Sequence, residues 1–215
     1  MKDRTMENMK FFFGKHEDLL FMKEDILKAC SMICGSYGSG GKVLTCGNGG
    51  SCADSDHIVG ELMKGFLLKR PLGLRLKEKF KSRFGDEGYE VSCKLQSCLP
   101  AISLTAQSAL CTAYSNDVDP QLVFAQQVIG YAKQGDIIIG ISTSGNAKNV
   151  YYAFMAAAAV GAKCIALTGM DGGRLRSIAD CALIAPSNET YIIQEYHIAI
   201  YHFICSFVES EIFEC

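Results

Sequence analysis

Five short apolar runs, separated by stretches of helical periodicity, constrain this chain more than any other feature. They are Val43-Leu44-Thr45-Cys46, Ala101-Ile102-Ser103-Leu104, Asp136-Ile137-Ile138-Ile139-Gly140-Ile141, Lys163-Cys164-Ile165-Ala166-Leu167-Thr168 and Cys181-Ala182-Leu183-Ile184. Strands that are apolar on both faces suit a parallel sheet covered by helices on each side. The expected fold class is therefore α/β: a three-layer α/β/α sandwich on a five-stranded parallel sheet with right-handed crossovers. Ligands in such folds lie outside the carboxyl ends of the strands.

The remainder of the chain is arranged around that sheet. The first forty residues read as two N-terminal helices, with Leu19, Met22, Ile26, Cys30 and Ile33 at helical spacing and Leu20 and Leu27 widening the stripe. The glycine-rich stretch 35–41 is expected to end them. Residues 67–99 break the rhythm and read as an inserted, partly helical excursion. Its mixture Lys77-Glu78-Lys79-Phe80-Lys81-Ser82-Arg83-Phe84 suits a solvated amphipathic face better than nucleic acid, because the whole chain carries a net charge of −2. At 215 residues one domain is expected. Nothing in the charge calls for nucleic acid or an anionic membrane, and no apolar run is long enough to span a bilayer. The N-terminal residues Met1 to Glu7 carry acids and do not read as a signal peptide.

The 11 cysteines are odd in number, scattered and often inside apolar runs, as at Cys46, Cys111, Cys164 and Cys205. No C-x-x-C pair suggests a zinc knuckle or redox couple. They read as reduced thiols of a cytoplasmic protein. Cys52, at an expected helix N-terminus, reads as a small residue beside a turn.

Two loops carry the chemistry. Gly47-Asn48-Gly49-Gly50-Ser51 follows the first strand and precedes an amphipathic helix expected from Ala53 to Phe66. Glycines let backbone approach an anion, and the helix N-terminus offers unpaired N–H groups and a favourable dipole. His57 and Glu61 are four residues apart, so they share a face of that helix as a candidate metal or acid–base pair. The second loop, Ser142-Thr143-Ser144-Gly145-Asn146, follows the third strand and leads into a helix expected from Asn149 to Val160. Its hydroxyls add donors for an anion. Neither a G-x-x-x-x-G-K-[ST] loop nor a full G-x-G-x-x-G is present, which disfavours nucleotides. A long C-terminal helix from about Asn188 to Val208 carries Gln194, Glu195, His197, Tyr201 and His202. Gln194, Glu195 and His202 fall within about a quarter of its circumference, and His197 lies well away.

Together, G-N-G-G-S with H-x-x-x-E, then S-T-S-G-N, then Q-E-x-H-x-x-x-x-H, resemble the sugar isomerase (SIS) domain family, with its flavodoxin-like sheet. Within it the pattern is similar to the phosphoheptose isomerases. The resemblance runs from about Glu17 to the end, apart from the excursion after Phe66. It implies an aldose–ketose isomerase that converts D-sedoheptulose 7-phosphate to D-glycero-D-manno-heptose 7-phosphate through a cis-enediol(ate), with Glu61 as base and His202 as its partner. Asn48, Gly49, Gly50, Ser51, Glu61, Gln194 and Asn116-Asp117, in the loop after Ala113, would contact the sugar phosphate. Ser142, Thr143 and Ser144 would grip its phosphate. His57, Glu61, Gln194 and His202 would match zinc ligands, one ion per subunit. The family implies a homotetramer with interfacial sites and no nucleic-acid or membrane partner. Other members imply two alternatives: isomerisation of a different phosphosugar, or a non-catalytic scaffold binding a replication initiator. Members of the latter kind typically lack both the Glu and the final His. The chain departs from the family pattern at Ala147, where a Ser is common, at Lys64-Gly65, where an Arg is common, and at Tyr191, where an Asp is common.

Overall fold

A computed structural model describes residues 1–213. Helices α1 (Asp3–Lys15) and α2 (Lys23–Gly38) come first, joined by a 3-10 turn at Glu17–Met22. There follow β1 (Val43–Gly47), α3 (Gly50–Met63), α4 (Leu74–Lys94), β2 (Ala101–Ser103), α5 (Ser108–Asp117) and α6 (Val123–Tyr131). The chain ends with β3 (Ile137–Ile141), α7 (Lys148–Val160), β4 (Lys163–Thr168), α8 (Gly173–Ile178), β5 (Cys181–Ile184) and α9 (Thr190–Phe213). All five strands are parallel, in the order β2-β1-β3-β4-β5. This is the expected α/β fold.

Two apolar layers sandwich the sheet. Alternate strand residues point to opposite faces. Ile137, Ile139 and Ile141 of β3 face a core shared with α1, α2, α3 and α9, and Ile138 faces α6 and α7. Gly140 lies on the α7 side, where a Cβ would come within 2.5 Å of Phe154 and 2.6 Å of Val150. Glycine there lets α7 sit directly on the strand. The chain leaves β1 on one side for β2 and returns on the other for β3. The strand order thus switches between β1 and β3, where Gly47 pairs with Ile141. Both α3 and α7 begin at this crevice, where an α/β sheet binds ligands.

Several boundaries differ from the sequence reading. Helix α3 starts at Gly50, earlier than Ala53, because Gly49 takes a left-handed φ of 58° and turns the chain straight into the helix. It ends at Met63, leaving Phe66 outside. Leu19 and Met22 are buried on the 3-10 turn, not on an α-helix. Helix α2 continues through Gly38, and the chain reverses at Gly40 (φ 77°). The excursion is helical over most of its length: α4 is two helices broken at Gly85 (φ 64°, ψ −150°). Gly88 lets its second half close on Phe80 and Phe84. Only Gly88 and Ser92 of α4 are buried, which fits a solvated amphipathic segment. No helix among the described residues is long and apolar enough to cross a membrane. The ten cysteines among the described residues are all unpaired.

Candidate active site

Helices α3 and α9 run side by side, and their seam holds the site. At its upper end Gln194 lies against Gly50, where any Cβ would overlap the glutamine amide. Further along, Tyr201 Oη donates to Asp54 Oδ1 at 3.3 Å and lies 2.8 Å from His57 Nδ1. His57 Nε2 stands 3.1 Å from Glu61 Oε1 and 3.5 Å from His202 Nε2. The rings of His57 and His202 meet edge to face, with centroids 4.9 Å apart. Phe66 lies against His202 at 5.5 Å. Desolvation, reinforced by His57, holds the His202 pKa below its ordinary value, and Glu61 opposes the shift.

These contacts set the tautomer of His57. A tyrosine that gives its proton to Asp54 can only accept at its oxygen, so His57 Nδ1 carries the hydrogen. Nε2 then presents a lone pair toward Glu61 and His202. Glu61 Oε1 and His57 Nε2 are then two acceptors facing each other at 3.1 Å, and they need a proton or a cation between them. Two ligand atoms on a tetrahedral ion stand roughly 3.3–3.6 Å apart, given metal–ligand distances of about 2.0–2.2 Å. The 3.5 Å separation of His57 and His202 falls in that range and the 3.1 Å separation of His57 and Glu61 lies just below it, and Asp54 and Tyr201 support His57 from behind as the partners of metal-bound histidines do. The donors form a chain, His202–His57–Glu61. Among the described residues no group of three or more His, Cys, Asp and Glu side chains closes as a metal cage. Gln194 is eight residues before His202, about 12 Å along the axis, and its amide packs at Gly50. The structure therefore brings three of the four expected ligands together and sets Gln194 beside the glycine loop.

That loop and the second one are joined. Asn48 and Asn149 exchange side-chain hydrogen bonds at 2.9 and 2.8 Å across the β1–β3 crevice. In the second loop Gly145 N donates to the Ser142 carbonyl at 2.9 Å. Gly145 (φ 65°) packs so tightly on Gly172 that no side chain fits. Ser142 Oγ accepts from Ala147 N at 3.4 Å, and Ser144 Oγ from Asn146 N at 3.3 Å. Thr143 and Ser144 remain partly open at the start of α7. Ser51 is buried in the first turn of α3.

Other expectations meet a different environment. Asn116 and Asp117 end helix α5 and do not lie in a loop; the Asn116 amide donates to the Asp117 carboxylate at 2.8 Å, and both are exposed. Helix α5 packs on α6 and the adjoining 3-10 turn. Glu195 is exposed and lines a groove with His202 and Phe66. Lys64, where the family commonly has an arginine nearby, brings its ammonium within 3.0 Å of Glu61 Oε2. Gly65 has no room for a side chain, since a Cβ would overlap the Leu68 carbonyl. Tyr201, Asp54 and Asn149 are site residues that no spacing in the sequence singles out. They act through partners on other elements.

His197 is a core residue. It is fully buried, and its Nε2 donates to the Thr168 carbonyl at 3.1 Å. Burial pulls its pKa down to about 4, against about 6.5 in the unfolded chain. Only the unfolded state gains from protonation between those values. Stability is therefore full above about pH 6.5 and falls as pH drops toward 4, by ~3 kcal/mol from this group. His197→Gln, with an amide donor in its place, should remove that part of the acid sensitivity in denaturant titrations at pH 7 and pH 4.5. An unchanged pH slope would refute the assignment.

Comparison with known proteins gives the family. The SIS domain model matches residues 103–206. A phosphoheptose isomerase of Citrifermentans bemidjiense is 40% identical over 188 residues, covering 87% of this chain and 84% of that protein. The chain belongs to the phosphoheptose isomerase family. The phosphoheptose isomerase of Nitratiruptor sp. is 38% identical over 98% of this chain and 97% of its own length. The solved phosphoheptose isomerase of Neisseria gonorrhoeae superposes with a TM-score of 0.72 at 30% identity, covering 95% of each chain. The SIS match begins at β2. The glycine loop, His57 and Glu61 precede it, within the span that the phosphoheptose isomerases share over nearly the whole chain.

Proposed function

We propose that the chain interconverts D-sedoheptulose 7-phosphate and D-glycero-D-manno-heptose 7-phosphate on the α3–α9 seam. The observation that carries this reading is the His202–His57–Glu61 chain beside two anion-type loops at the carboxyl ends of the paired strands β1 and β3. Ketose-to-aldose conversion needs a base that takes the C1 proton and returns it to C2. It also needs a group that protonates O2 and relieves O1 of its proton. Glu61 is the base and His202 its partner. Lys64 holds Glu61 Oε2 at 3.0 Å, and Oε1 is left facing His57, which Tyr201 and Asp54 orient. The phosphate is assigned to Ser142, Thr143 and Ser144, and the sugar to Asn48, Gly49, Gly50, Ser51 and Gln194, with Asn116 and Asp117 also on the substrate side. Binding at the remote phosphate positions C1 and C2.

His57, Glu61 and His202 are the residues that would hold a zinc ion, and Gln194 remains the candidate fourth donor. When bound, zinc supplies an electrophile for the negative charge that develops on the sugar oxygens. The unpaired thiols support a reducing, cytoplasmic setting. The exposed positions of Asn116 and Asp117 support a homotetramer whose sites take residues from neighbouring subunits.

The test is an isomerase assay on sedoheptulose 7-phosphate, as purified and after chelation with zinc add-back. Turnover lost on chelation and restored by zinc is the expected result. Turnover indifferent to chelation would remove the metal from the mechanism. A folded protein with no turnover would overturn the heptose assignment.

A further inference from the structure

Arg70 and Glu209 form an ion pair with both side chains wholly buried, Nε to Oε1 at 2.6 Å. Every remaining polar position of the pair points at the seam's lower end. Arg70 Nη1 donates to the Leu62 carbonyl at 2.7 Å and Nη2 to the Glu61 carbonyl at 3.1 Å. The guanidinium thus caps the last turn of α3, whose carbonyls have no partner within the helix. Glu209 accepts from the backbone N–H groups of Phe66 (2.8 Å), Leu67 (2.7 Å) and Leu68 (3.0 Å). These belong to the strap that follows α3 and presents Lys64 to Glu61 and Phe66 to His202. Glu209 follows His202 by seven residues, about two turns, so both project from one stripe of α9.

Stability alone does not account for such a pair. A buried ion pair is worth roughly as much as well-packed apolar residues of the same volume. The distinguishing property here is directional: six hydrogen bonds fix the end of one helix and a strap to a named turn of another.

We propose that the Arg70–Glu209 couple is the positioning element of the isomerase site. It sets Glu61, Lys64 and Phe66 around His202 by locking the end of α3 and the strap to α9. The inference rests on the assignment of Glu61 and His202 as the reacting pair.

Arg70→Lys tests it. Lysine keeps a cation for Glu209, but its single ammonium cannot serve Glu209 and both carbonyls at once. The holoenzyme should lose about 10–100-fold in kcat and by a similar factor in zinc affinity measured by chelator competition. KM for the phosphosugar should hold, and the pH–rate profile should be displaced. Lys42→Met is the control. It removes an ion pair with Asp136 at the opposite, amino end of β1 and β3, and should lower the melting temperature without moving kcat, zinc affinity or the pH profile. A folded Arg70→Lys enzyme with wild-type kcat, pH profile and zinc affinity would overturn the proposal. So would losses that the Lys42→Met control reproduces at equal destabilisation. Wild-type protein that binds zinc yet leaves sedoheptulose 7-phosphate unchanged would sink the substrate reading alone, and the affinity comparison would still decide the role of Arg70. Wild-type protein that neither turns over nor binds zinc would overturn both.

Discussion

Glu61→Gln should lower kcat by about 10²–10⁴-fold, the usual worth of a general base, with KM for the phosphosugar nearly unchanged. The substitution keeps the side-chain volume and one oxygen. It removes the charge that lies between His57 Nε2 at 3.1 Å and Lys64 Nζ at 3.0 Å. The groups assigned to the phosphate, Ser142 to Ser144, stand at the end of β3 on a separate loop, so binding energy drawn from the phosphate should survive. Steady-state kinetics, substrate titration by calorimetry and zinc content on the same preparation separate the possibilities. Turnover lost with binding and zinc retained supports the base. Turnover and zinc lost together would make Glu61 a ligand first. Binding lost with turnover would count against the assignment.

Glu209→Ala should destabilise the fold by ~3–5 kcal/mol, because it leaves the Arg70 guanidinium buried and uncompensated. It also takes the acceptor from the partly buried N–H groups of Phe66, Leu67 and Leu68, which adds to the loss. In a chain of this size that corresponds to a fall in Tm on the order of 10 °C. Thermal melting of the two proteins at equal concentration and matched zinc decides it. A drop no larger than that of the partly exposed Lys42–Asp136 pair, whose Lys42 side chain is 21% exposed, would mean that the buried pair is not anchored as described.

The five strands were legible because a parallel sheet buried on both faces requires apolar residues at every position. That requirement writes itself into the local sequence at Val43–Gly47 and Ile137–Ile141. The glycine loop was legible for a related reason: only glycine takes the left-handed turn at Gly49 or makes room for Gln194 at Gly50. The pairing of His57 with Glu61 follows from helical spacing alone.

Other parts of the site carry no such local signature. Tyr201 reads as one more aromatic on an apolar helix until α3 brings Asp54 and His57 to its hydroxyl. His197 and His202 are the same residue type on the same helix, yet the sheet buries one against Thr168 and the seam leaves the other facing His57. Asn149 meets Asn48, and Arg70 meets Glu209, across 101 and 139 residues. The sequence by itself determined the sheet, the two anion-type loops and one face of α3, because backbone conformation and burial on both sides of a strand restrict residue choice position by position. Tertiary structure alone decided which polar side chains share a hydrogen bond, because that depends on how α3, α9 and the strap pack against one another, and their spacing along the chain leaves that packing open.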